Sequence, residues 1–164
     1  MTVTIMKFYN REKELLQLSS TMDRSKNQGQ LTVMVGRRRI GKTSLLKKSV
    51  ENSPAVYLFV AKKSEILLCR EFVEIIKESL DISFYGEISR FKDVFSWLMD
   101  LSENLNFTLI IDEFQEFLNI NSSIFSDMQN VWDSKKNQSK INLIVCGSIY
   151  SLMKNYTWMK STVH

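Results

Sequence analysis

Gly36-Arg37-Arg38-Arg39-Ile40-Gly41-Lys42-Thr43 fits the pattern G-x-x-x-x-G-K-[ST]. At ordinary residue usage, a chain of this length contains such a match by chance only about once in a few hundred cases. The pattern dictates a local fold: a strand before it, a tight glycine-rich loop, and a helix after it. Both flanks comply. Leu31-Thr32-Val33-Met34-Val35 is β-prone, and residues 43–50 have helical spacing. The glycines allow a tight turn and leave main-chain N–H groups open to phosphate oxygens. Lys42 is placed to reach β- and γ-phosphates, the Thr43 hydroxyl to ligate Mg²⁺, and the helix dipole to face the anion. Gly36, Arg37, Arg38, Arg39, Ile40, Gly41, Lys42, Thr43 and Ser44 are the candidate phosphate-binding residues. The competing reading is a Gly/Arg-rich surface turn with no ligand.

The rest of the chain alternates apolar runs with amphipathic stretches. Residues 55–61, 107–111 and 141–146 are near-continuous apolar runs, as in strands buried on both faces. Helical periodicity covers 11–18, 65–80, 89–104 and 123–135, and a last helix starts near Leu152. Residues 1–10 read as a short arm. Alternation of this kind predicts an α/β fold with a mostly parallel sheet covered on both faces.

Two further runs carry chemistry. Thr108-Leu109-Ile110-Ile111-Asp112-Glu113 is an apolar strand ending in two acids. Carboxylates at the carboxyl end of a parallel strand lie where such sheets bind ligands. Asp112 then serves as a Mg²⁺ ligand, and Glu113 as the group that orients and deprotonates a water. The competing reading is a strand that ends in solvated acids. The run ending in Val145-Cys146-Gly147-Ser148 closes on a small polar residue. Ser148 faces either the γ-phosphate or caps a following helix, and both readings stand.

These motifs, in this order, resemble the archaeal-type AAA+ ATPases, within the signal-transducing class of P-loop ATPases. Phe8-Tyr9-Asn10-Arg11-Glu12-Lys13-Glu14-Leu15 resembles the N-terminal motif of that family, and Asp112-Glu113-Phe114-Gln115 its acidic strand end. The resemblance implies a three-layer α/β/α sheet of strand order 5-1-4-3-2. It also implies bound ATP and Mg²⁺, with Lys42, Glu113 and the sensor Ser148 in catalysis. Arg11 would lie near the nucleotide base. A nucleotide-binding core over 31–164 would follow an arm and helix over 1–30. Family members continue into a fifth strand, a helical lid and usually a DNA-binding winged helix. This sequence ends 16 residues after Ser148. The expected consequence is a partial domain lacking strand 5 and the lid, with a bare sheet edge beside the P-loop strand that invites self-association.

Composition narrows the function classes. His164 is the only histidine, and Cys69 and Cys146 have no C-x-x-C spacing. Zinc sites and Ser-His-Asp or Cys-His catalysis are therefore not expected. No run approaches the roughly 20 apolar residues of a membrane span, so the expectation is a cytoplasmic protein with no membrane partner. A formal net charge of +4 is concentrated around the P-loop. That cluster serves nucleotide phosphates most simply, and DNA second. The leading function is an ATP-binding core with slow hydrolysis, acting as a switch on ATP and ADP. The alternatives are an interaction fragment for DNA, a protein or a second copy, and a small-metabolite kinase.

Overall fold

A computed structural model describes residues 3–7, 11–37 and 41–148. Arg38, Arg39, Ile40, the segment Phe8–Asn10 and the helix expected from Leu152 lie outside the described residues. The elements are β1 (Val3–Lys7), α1 (Arg11–Ser25), β2 (Gln30–Val35), α2 (Lys42–Ser49), β3 (Ala55–Phe59), α3 (Glu65–Leu80), α4 (Phe91–Leu101), β4 (Phe107–Asp112), α5 (Phe117–Ile120), α6 (Ser123–Lys135) and β5 (Ile141–Gly147). A single 3₁₀ turn, Phe114–Glu116, joins β4 to α5.

The strands form one sheet in the order β1-β2-β5-β4-β3, and every pair is parallel. Every residue of β2, β4 and β5 is buried. Their side chains alternate between two cores, as the period of a strand requires. Val33, Val35, Leu109, Ile111, Leu143 and Val145 belong to a large core with α3, α4 and α6. Met34, Ile110, Ile144 and Cys146 join a smaller core with Leu18 of α1 and with Leu45 and Leu46 of α2. The result is the expected three-layer α/β/α arrangement. An aromatic cluster fixes the larger core: Phe91 stands 4.5 Å from Phe117, and Phe114 stands 5.2 Å from Phe125, centroid to centroid.

One expectation fails. Residues 1–10 are not merely an arm, because Val3–Lys7 pairs in register with Leu31–Val35. The edge beside the P-loop strand is therefore filled by β1, from the N-terminal side of the chain, and is not bare. The signal was weak because β1 is only five residues long, too short for periodicity to mark it. Helix α1 also runs seven residues beyond its expected end at Leu18. Its buried face there is polar, Thr21 and Ser25, so hydrophobic periodicity does not mark it.

The layered core predicts sharply position-dependent mutational costs. Phe95 is 0% exposed on α4, whereas Leu16 on α1 is 72% exposed. Phe95→Ala is expected to cost about 3–5 kcal/mol and Leu16→Ala no more than about 0.5 kcal/mol, measured by urea unfolding.

Candidate functional site

The carboxyl ends of β2, β5, β4 and β3 meet on one side of the sheet. A cleft of about 740 Å³ opens there, lined by Gly41, Lys42, Thr43, Phe59, Val60, Ala61, Lys62, Asp112, Glu113 and Glu116. Two of the sequence motifs, the P-loop and the Asp112-Glu113 pair, line it.

The loop after β2 delivers α2. Gly41 sits at φ 84°, a left-handed conformation that suits glycine, and a Cβ there would meet Arg11 Nη2 at 3.0 Å. Arg11, the first residue of α1, is thereby placed against the P-loop. Helix α3 caps its amino end with the Ser64 side chain, which accepts from the Leu67 N–H at 3.4 Å. Helix α2 has no side-chain cap. Its leading N–H groups are the kind of donors that an anion satisfies. The Lys42 ammonium donates to the carbonyls of Gly36 at 2.6 Å and Gly147 at 3.3 Å, so β2 and β5 both hold it at the loop. Arg37 and Ser44 are exposed beside it.

Asp112 ends β4 and is 6% exposed. A buried carboxylate needs donors, and it has three. Its Oδ2 accepts from the Thr43 hydroxyl at 3.2 Å and from the Tyr57 hydroxyl, and its Oδ1 from the Glu113 N–H at 2.9 Å. Tyr57 was not singled out from the sequence. It lies in an apolar run, and only the register shows its use. Phe59 pairs with Asp112, so Tyr57, two residues earlier, is a diagonal neighbour on the same face. An aromatic side chain spans that diagonal. Burial, and next the Asp112 carboxylate, push the Tyr57 hydroxyl well above its ordinary pKa. Lys47 lies 5.4 Å from the centre of the Tyr57 ring.

Glu113 lines the cleft with a left-handed backbone, φ 54° and ψ 39°. That conformation is uncommon for a residue other than glycine and clusters at functional sites. Gln115 donates to Glu113 Oε2 at 2.5 Å and to Ser148 Oγ at 3.4 Å. Ser148 thus lies beside the acids, one residue beyond the carbonyl that holds Lys42. Thr43 Oγ1 and Asp112 Oδ2, 3.2 Å apart, bring two hard oxygen atoms together at the cleft. No group of three or more His, Cys, Asp or Glu poised for a metal occurs among the described residues.

Comparison with known proteins agrees with this arrangement. Residues 8–164 match the family described as ATPase domains predominantly from Archaea. The chain belongs to that family. An uncharacterized protein of Methanocaldococcus jannaschii is 30% identical over 146 residues, 89% of this chain and 30% of that protein. A second uncharacterized protein of the same organism is 34% identical over 56 residues, 34% of this chain and 54% of its own length. Among solved structures, a Walker-type ATPase of Pyrococcus abyssi superimposes with a TM-score of 0.67 and 23% identity, over 91% of this chain and 48% of that one. Cdc6p from Pyrobaculum aerophilum gives 0.64 and 19%, over 96% and 45%. The chain thus spans under a third of the first relative and under half of either solved structure. The fold of this archaeal-type ATPase domain is that of the P-loop ATPases. Among its described residues, no helix is long and apolar enough to cross a membrane.

Cys146, the cysteine of β5, is buried beside Asp112. Burial, and next the Asp112 carboxylate, push the Cys146 thiol from its ordinary 9.0 up to about 12. Burial first, then Glu65, pushes Cys69 equally far. Only the thiolate reacts, so at pH 8 both thiols should alkylate on the order of a thousandfold more slowly in folded than in urea-unfolded protein. The same shift has a sign for stability. The unfolded thiols lose protons from about pH 9 while the folded ones retain them, so stability should fall as pH rises from about 9 to 12.

Proposed function

We propose that this domain binds Mg²⁺·ATP at the P-loop and hydrolyses it slowly, the bound nucleotide acting as a switch. The observation that carries the reading is the convergence of Lys42, Thr43, Asp112 and Glu113 on one cleft, from segments far apart in the sequence. On this reading residues 31–164 form the nucleotide-binding core and the helix that begins at Arg11 flanks it. Gly36 to Ser44 cradle the phosphates, with α2 pointing its uncapped amino end at them. Arg11 lies against the same loop and reaches the nucleotide from the α1 side.

Thr43 and Asp112 fit a magnesium ion chemically, since both present hard oxygen atoms and Mg²⁺ draws its other ligands from phosphate and water. The ion would lend positive charge to the phosphate oxygens. The Lys42 ammonium now rests on two neutral carbonyls, which hold it only moderately. A phosphate oxygen offers it a charge-assisted bond, which is roughly twice as strong. Lys42 is thus oriented before the anion arrives and can turn to it at little cost. Glu113 faces the cleft beside Asp112. Its carboxylate is suited to accept a proton from a water that attacks the γ-phosphate. Ser148 stands on the adjacent strand end, where a hydroxyl can hydrogen-bond the same water or the transferring group.

Calorimetric titration with Mg²⁺·ATP and Mg²⁺·ADP tests this directly. Lys42→Ala is expected to weaken ATP binding about a hundredfold or more, whereas Glu113→Gln keeps affinity near that of wild type and lowers turnover at least about a hundredfold. Equal ATP affinity in wild type and Lys42→Ala would overturn the proposal.

A further inference from the structure

Gln115 is a buried amide whose nitrogen bonds a residue that lines the cleft. It is 3% exposed, yet it does not line the cleft. Its amide nitrogen donates to Glu113 Oε2 at 2.5 Å and, at a longer 3.4 Å, to Ser148 Oγ. Its carbonyl oxygen is buried with no partner among the described residues. A core does not ordinarily retain an amide with an orphan acceptor, because leaving a buried acceptor unpaired is costly.

The local fold holds this amide in place. Gln115 is the middle residue of the 3₁₀ turn, between Phe114 and Glu116. Phe114 is fully buried and packs edge-on against Phe117 and Phe125. The turn is therefore anchored by aromatic packing on one side while Gln115 points to the two strand ends. It spans β4, through Glu113, and β5, through Ser148. Glu113 in turn has a backbone conformation that few non-glycine residues adopt and that clusters at functional sites.

From this geometry we infer that Gln115 is a positioning residue, holding the Glu113 carboxylate in its catalytic direction and tying it to Ser148. An amide suits the task. It donates to the carboxylate without neutralising it, as a lysine would, and without repelling it, as an acid would. Gln115 does not line the cleft, and it acts through Glu113 and Ser148. The inference rests on the proposed hydrolysis, which gives Glu113 its role.

The test is Gln115→Met, which keeps the length and bulk of the side chain and removes both polar atoms, with Gln115→Glu as a second variant. Steady-state hydrolysis, affinity for a slowly hydrolysed ATP analogue, affinity for ADP with aluminium fluoride, and Tm are measured for each. Both variants are expected to lower kcat about tenfold or more, with KM and analogue affinity within about twofold of wild type. Affinity for ADP–aluminium fluoride, which mimics the transferring phosphoryl group, should fall about tenfold as well. In a Glu113→Gln background, Gln115→Met should change that affinity no further, because the two residues act as one unit. Turnover equal to or above wild type in Gln115→Met overturns the inference. So does a parallel loss of affinity for both nucleotide complexes, which marks a merely structural role. A wild-type chain that binds ATP without hydrolysing it overturns the hydrolysis reading itself, and this inference falls with it. Wild-type turnover with unaffected Gln115 variants overturns this inference alone.

Discussion

Everything at the site depends on parallel pairing among β2, β5 and β4. A parallel ladder makes all strands point the same way, so their last residues end on one edge. Gly36, Gly147 and Asp112 come from positions more than a hundred residues apart in the extreme case, yet they become neighbours there. The register then decides the details. Val35 opposite Gly147 places the two carbonyls that hold Lys42, and Phe59 opposite Asp112 leaves Tyr57 within reach of the carboxylate. A slip of one residue in β4 would send Asp112 to the opposite face.

The electrostatics of the cleft follow from the same pairing. Asp112 is nearly excluded from water, but its three donors come from three elements: α2, β3 and the residue that follows β4. The carboxylate therefore acts as a tie among them as well as a ligand. Lys42 is held by two strand ends, so neither charge of the site depends on a single neighbour. The acids and the ammonium are arranged around open space.

The central strands were legible because β2, β4 and β5 are buried on both faces. Runs such as Leu109-Ile110-Ile111 and Leu143-Ile144-Val145 read as apolar throughout, and α3 and α6 have the bounds that hydrophobic spacing predicts, 65–80 and 123–135. The P-loop and the Asp112-Glu113 pair were legible because their chemistry is local in sequence. What escaped notice depends on distant neighbours. Strand β1 shows itself only by pairing with β2, Tyr57 only by a cross-strand diagonal, and the bonds of Gln115, itself part of a motif the sequence displays, only by the 3₁₀ turn that brings it to Glu113 and Ser148. The polar lower half of α1 escaped because Thr21 and Ser25 are buried against the expectation for their type.

The strand order also governs how the molecule can assemble. β5 sits at the centre of the sheet, between β2 and β4, but among the described residues it is the last strand in the sequence. Gln30 pairs with Asn142, whereas Val3 pairs with Leu31 and Val56 with Leu109. On a ribosome, β1 with β2 and β3 with β4 can each zip early, as two separate ribbons whose inner edges stay open. Only when residues near 141 emerge can the last strand slide between them and join the halves. Loop-closure entropy makes such a long-range joining slow. For that interval the nascent chain presents two unsatisfied apolar edges, the state in which chaperone capture and mispairing compete with folding.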